Sequence, residues 1–119
     1  MDDRFHIILK SKIKEYVHLV YSISKDFPTD ERFGLTSQAR RAAMSVLLNY
    51  VEGFARVKLK VNINHLETAY ASLKESDVAL EFANEEGYVK KISEYNKAVV
   101  LADEIAAMLW STITKKRNS

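Results

Sequence analysis

Between Gln38 and Arg56, polar side chains recur at three- and four-residue steps: Gln38, Arg41, Ser45, Asn49, Glu52 and Arg56. On a helix turning about 100° per residue they fall within an arc of roughly 80°. Glu52 and Arg56 are i,i+4 partners, as are Arg41 and Ser45. A plain solvent face usually carries Lys and Glu in quantity, whereas this one mixes Gln, Ser and Asn with fewer charges. Short amides and hydroxyls beside guanidinium groups suit a hydrogen-bonded network at a helix interface, or a lining that contacts a ligand. They do not suit catalysis, because no nucleophile stands beside a base. The chain is therefore not expected to be an enzyme, and no small-molecule substrate is evident.

A second set is cationic. Arg40, Arg41, Arg56, Lys58 and Lys60, with Lys115, Lys116 and Arg117 in reserve, are the residues that could meet phosphates. No known motif or interleaved exposed aromatic accompanies them, and in a lone monomer solubilising charge explains them as well. Repeated around a ring, copies of one modest patch add into a field. His6, His18 and His65 lie in three separate places without metal-ligand spacing, so neither metal nor cofactor is expected. Tyr70, Tyr95 and Trp110, at helical spacing, read as core or interface residues. Asp77 lies near an apolar stripe. Buried, it would need Arg40 or Arg41 as counter-charge; a slight rotation of its helix would bring it to water instead.

The elements that position these residues are helices. In 119 residues there are three Gly, one Pro and no Cys, with 47% apolar and 29% charged side chains. Sparse punctuation favours a few long helices over a turn-rich β protein, and this length buries a core without disulfide or metal support. The acidic start MDDRFH is wrong for a secretory leader, and the longest apolar run, about 42–51, is roughly half a membrane span. A cytoplasmic protein without membrane contact is expected. Net charge is +2, but residues 1–60 carry 11 Lys or Arg against 7 Asp or Glu, and residues 61–119 carry 7 against 9. Such halves could complement one another between subunits, or leave one end of the particle basic.

A first helix over about 5–25 buries Leu9, Ile13, Tyr16, Val17, Val20 and Ile23. FPTDERFG ends it, and Thr36 is the expected N-cap of a second helix over 35–56. That second helix is apolar on two sides of its polar seam. Leu35, Ala39, Ala42, Val46 and Gly53 form a small-residue face; Met44, Leu47, Leu48, Val51 and Phe54 form a bulky one, assigned to an oligomer interface. VKLKVNIN alternates like a strand, but nothing else alternates, and a lone strand has no partner for its backbone. The same residues begin a third helix over 60–86, closed by Gly87. A fourth, over 91–115, has its seam at Ile92, Tyr95, Val99, Ala102, Ala106, Leu109 and Ile113, beside a stripe of Leu101, Ile105 and Met108. The expected fold is all-α: one domain over 1–119, an antiparallel up-down-up-down four-helix bundle, assembling into a cyclic homo-oligomer.

The run FPTDERFGLTSQARRAAMSVLLNYVEG resembles the signature of the 23S rRNA intervening-sequence proteins, bacterial four-helix bundles encoded within large-subunit ribosomal RNA genes. The likeness includes Pro28, Gly34, Gln38, Arg40, Arg41, Ser45, Asn49, Glu52, Gly53 and Arg56, and resumes at Leu66, Ala69, Ser72, Leu73, Glu75, Leu80, Gly87 and Tyr88. Lys58 stands where the family commonly has a capping serine, Asn62 an aromatic, Ala71 a glycine and Tyr50 an isoleucine, departures that bear on how helices two and three meet. The resemblance implies a left-handed bundle in a cyclic homopentamer. It also suggests RNA binding, since a related bundle, an accessory subunit of reverse transcriptases in diversity-generating retroelements, binds nucleic acid through a basic ring surface. Two functions compete: a non-enzymatic oligomer that binds structured RNA through phosphate contacts, and a protein-interaction scaffold without nucleic acid.

Overall fold

The computed structural model describes residues 3–119. Four α-helices, α1 (Asp3–Ser24), α2 (Leu35–Ala55), α3 (Leu59–Glu85) and α4 (Ile92–Arg117), pack around one core, with a 3-10 turn at Thr29–Glu31. There is no strand among the described residues, and the alternating VKLKVNIN stretch is helical from Leu59 onward. None of the described helices is long and apolar enough to cross a membrane.

Each helix neighbours the next, and α4 returns to α1. Along every such pair the contacts run in opposite senses. His6 meets Tyr50 while Ser24 meets Arg40; Asn49 meets His65 while Ser45 meets Ser72. Glu67 meets Arg117 while Tyr70 meets Trp110, and Lys12 meets Glu104 while Ser22 meets Glu94. The core is built from Leu9, Ile13, Val20 and Ile23 of α1, Ala39, Ala43 and Val46 of α2, Leu66, Leu73 and Leu80 of α3, and Ile105, Leu109 and Ile113 of α4. Tyr16 crosses it, its hydroxyl 2.7 Å from Ser76 Oγ, which ties α1 to α3 through the interior. Burial holds that phenol well above its ordinary pKa.

Three local features differ from the sequence expectation. Thr36 is buried and is not the cap of α2. Gly34 occupies that position, and Glu31 on the 3-10 turn folds back so that its carboxylate accepts the Leu35 N–H at 3.1 Å. A charged acceptor at a helix start satisfies an otherwise orphaned donor and the positive end of the dipole together. In α4 the buried side is rotated toward Leu101 and Ile105; Ile92, at the first turn, is exposed. In α2, Ala43 and Tyr50 join the core beside the small-residue face. The close of α3 follows expectation. Gly87 sits at φ 77°, with its N–H on the Asn84 carbonyl at 3.0 Å and the Tyr88 N–H on the Ala83 carbonyl at 2.9 Å.

Candidate functional site

The polar seam of α2 faces α3, where its middle becomes a continuous network. Asn49 Nδ2 donates to the Ser45 carbonyl and to Ser45 Oγ, each at 3.0 Å. Ser45 Oγ lies 2.9 Å from Ser72 Oγ, and His65 Nδ1 lies 3.0 Å from Asn49 Oδ1. The small residues of α2 are what allow hydroxyls and amides to bridge two helices directly. At Gly53 a Cβ would come within 3.3 Å of His65 Cβ and Leu66 Cδ2. The α2 partners were legible as a periodic seam. Their α3 counterparts, His65 and Ser72, carry a weaker signal, a seven-residue spacing that puts both on one face.

The seam's two ends differ. Toward the start of α2, Gln38, Arg41, Ala42, Ser45, Ser72 and Glu75 line a cleft of about 240 Å³. Toward the other end Glu52 and Arg56 form an i,i+4 ion pair at 2.5 Å, half-exposed on both sides. Where the helix stops, Asn62 takes over. It is buried, and its Nδ2 donates to the Gly53 carbonyl, one of the acceptors a helix terminus leaves open. Asn62 thus caps α2 from the first turn of α3.

The cationic set does not form one surface. Arg40 turns inward onto α1: its Nε donates to Ser24 Oγ at 2.8 Å and its guanidinium lies 5.0 Å from the Tyr21 ring centroid. Arg41 approaches Ser37 at 3.4 Å. Both lie some 22 Å along α2 from Arg56, counting about 1.5 Å per residue. Neither meets Asp77, whose partner they were candidates to be. That carboxyl is half-buried, and its pKa is raised by desolvation first and by the Asp103 carboxylate next, with Lys74 opposing.

Arg56, Lys58 and Lys60 have different company. Lys116 Nζ lies 5.2 Å from the Phe54 ring centroid, Arg117 pairs with Glu67, and His6 packs edge-on against Phe54 with ring centroids 4.4 Å apart. The start of α1, the α2–α3 junction and the end of α4 therefore share one end of the molecule. Among the described residues there, Arg4, Arg56, Lys58, Lys60, Lys115, Lys116 and Arg117 outnumber Asp3, Glu52 and Glu67. At the opposite end Lys91 pairs with Asp26 at 3.7 Å and the Tyr88 hydroxyl reaches Glu31 at 3.4 Å. Among the described residues there, Asp26, Asp30, Glu31, Glu81, Glu85, Glu86 and Glu94 are nearly balanced by Lys25, Arg32, Arg40, Arg41, Lys90 and Lys91. The body is 46 Å long, and its net positive charge lies at the end where α1 starts and α4 finishes.

The bulky face of α2 is divided. Leu48 is 60% exposed and Val51 44% exposed; with Leu47, Lys10 and Lys14 they line an open groove of about 500 Å³ between α1 and α2. Met44 and Leu47 are half-buried. Phe54 leaves this set and joins Tyr50 and His6 at the basic end, where its ring lies 4.9 Å from that of Tyr50. Tyr50, whose hydroxyl is 3.0 Å from His6 Nδ1, has its pKa pushed up to about 12 by burial. Trp110, read from sequence as core or interface, is 55% exposed. No group of three or more His, Asp or Glu close enough to hold a metal ion occurs among the described residues.

Four helices around one core, joined by a polar α2–α3 seam and basic at one end, define an all-helical protein of the four-helix kind. The chain belongs to the 23S rRNA-intervening sequence protein family, whose model matches residues 6–111. It is similar to a crystal structure at 1.70 Å of a protein of unknown function from the S23 ribosomal protein family of Bacteroides thetaiotaomicron. That likeness has a TM-score of 0.81 at 22% identity, covering 92% of this chain and 98% of the other, and it shows the fold. No curated protein matches the chain.

Proposed function

We propose that this protein is a non-enzymatic oligomer that binds structured RNA through the basic end of its bundle and acts in the cytoplasm. One observation carries the reading: cationic side chains from the α1 start, the α2–α3 junction and the α4 end collect at one end, whereas charges at the other end nearly balance. Arg56, Lys58 and Lys60 are its exposed centre, while Arg40 is committed to α1. Phosphate contacts of this kind supply affinity with little sequence readout. The family's name, which ties it to 23S rRNA, supports RNA as the polyanion to test.

Pairwise contacts of opposite sense support an antiparallel up-down-up-down order. Two unlike exposed stripes support a cyclic homo-oligomer, and the family resemblance implies five copies. One stripe is the lysine-edged groove of Leu48 and Val51; the other is Val78 and Phe82 on α3, flanked by Glu75, Glu81 and Glu85. Unlike faces that complement one another join head to tail and close into a ring. A ring brings several copies of the modest basic end together.

The test is binding of a structured RNA hairpin across salt. Affinity is expected to fall steeply between about 50 and 200 mM salt, with Gln at positions 56, 58 and 60 lowering the log–log slope by up to about 3. Salt-insensitive binding, or none at low salt, would remove the reading. A protein scaffold is the second reading, favoured by the exposure of Leu48 and Val51; it predicts a specific co-purifying protein and no RNA shift.

A further inference from the structure

Trp110 is the only tryptophan of the chain, and more than half of its surface is exposed on the α3–α4 side of the bundle. It is not isolated. Its ring centroid lies 5.7 Å from that of Tyr70, the planes inclined at 48°, and Lys74 Nζ lies over the Tyr70 ring, 5.4 Å from its centroid. Two rings held by separate helices, with a cation over one of them, form a pre-set aromatic step. Neither ring needs ordering when a flat partner arrives, because Tyr70 is half-buried and fixes Trp110 from below.

The charges along the α3–α4 groove have a direction. Asp103, Trp110 and Arg117 are seven residues apart on α4, so they lie along one stripe at intervals of about 10 Å. On the Asp103 side the groove carries Asp77 and Glu81 of α3. On the Arg117 side it opens onto the basic end, with Lys115 and Lys116 in the same last turn; Glu67, which also lies there, is paired to Arg117. An anionic strand with one base on Trp110 is thus drawn toward the basic end and repelled the other way.

We infer that Trp110, backed by Tyr70 with Lys74 over the Tyr70 ring, is a stacking platform for an unpaired base of a nucleic acid whose backbone runs onto the basic end. Stacking on aromatic side chains with a cationic track is how single strands are held without sequence readout, because every base has a π-face. Duplex, whose bases are already stacked, gains nothing from the platform. The inference rests on the nucleic-acid reading above and adds a preference for unpaired residues, such as those of a loop or an overhang.

The test uses intrinsic fluorescence of the full chain, which Trp110 alone supplies at the red edge of excitation. An unstructured oligouridylate and an RNA duplex of equal length are titrated separately at low salt. The single strand is expected to quench Trp110, and Trp110→Ala to weaken single-strand binding at least about fivefold while leaving duplex binding unchanged. Trp110→Phe, which keeps a ring and the fold, is expected to retain most of the affinity. Single-strand binding that neither perturbs Trp110 nor responds to Trp110→Ala would overturn the platform and leave salt-sensitive RNA binding standing. Absence of binding to both RNAs at low salt would remove platform and nucleic-acid reading together. A free protein whose Trp110 emission is already that of a buried indole, and whose mass falls on Trp110→Ala, would assign the residue to a subunit contact and overturn the inference.

Discussion

Asp77 is the residue whose ionisation works against the fold. Its carboxyl is half-buried, removed from water first and facing Asp103 next, with Glu81 adding repulsion and Lys74 only partly compensating. The folded-state pKa is raised, so between the unfolded value and the folded one the native protein holds more protons than the unfolded chain. Stability therefore declines as pH rises through that window and recovers as pH falls through it. Asp77→Asn is expected to raise the melting temperature at pH 7, with the gain shrinking as pH is lowered toward 4; equal gains at both pH values in thermal melts would contradict it. Periodicity put Asp77 beside an apolar stripe, which is where it lies. It could not say that Arg40 would spend its guanidinium on Ser24 and Tyr21, because that depends on how α1 and α2 are set against each other.

Among the elements, the α2–α3 pair is the most tightly specified. Gly53 lets the helices approach, Asn62 closes α2, and the network of Ser45, Asn49, His65 and Ser72 fixes their register. A leucine at position 53 has nowhere to go, since even a methyl would press on His65 and Leu66. Gly53→Leu is expected to cost about 1–3 kcal/mol, seen as a lower midpoint in chemical denaturation; an unchanged midpoint would refute the close approach. Most of this level was legible in the sequence. Apolar spacing gave α1 its buried stripe residue by residue, and Gly87 announced the end of α3. What was hidden depended on groups distant in sequence. Glu31 displaces Thr36 as the acceptor at the start of α2 because the 3-10 turn folds back, and α4 buries Leu101 and Ile105 because α1 and α3 approach it from that side. The exposure of Trp110 is of the same kind, as helical spacing alone does not say which flank of a broad apolar stripe is covered.

For the whole molecule, the exposed groove of Leu48 and Val51 is the face that a second copy covers in the proposed ring. Leu48→Glu and Val51→Glu together would place carboxylates where the acidic, apolar stripe of Val78 and Phe82 is expected to dock. Light-scattering mass is expected to fall to that of one chain with the helical circular dichroism intact, whereas an unchanged oligomer mass would move the interface elsewhere. The gathering of positive charge at one end has an electrical consequence for the proposed ring. All subunits of a cyclic array point the same way, so their basic ends crowd together. Dissolved ions shield that crowding over a Debye length of about 8–10 Å, but they also weaken the lysine–glutamate attraction across the docking faces and compete with phosphate at the positive pole. In such a ring a bound polyanion is the counterion that lets the basic ends sit together.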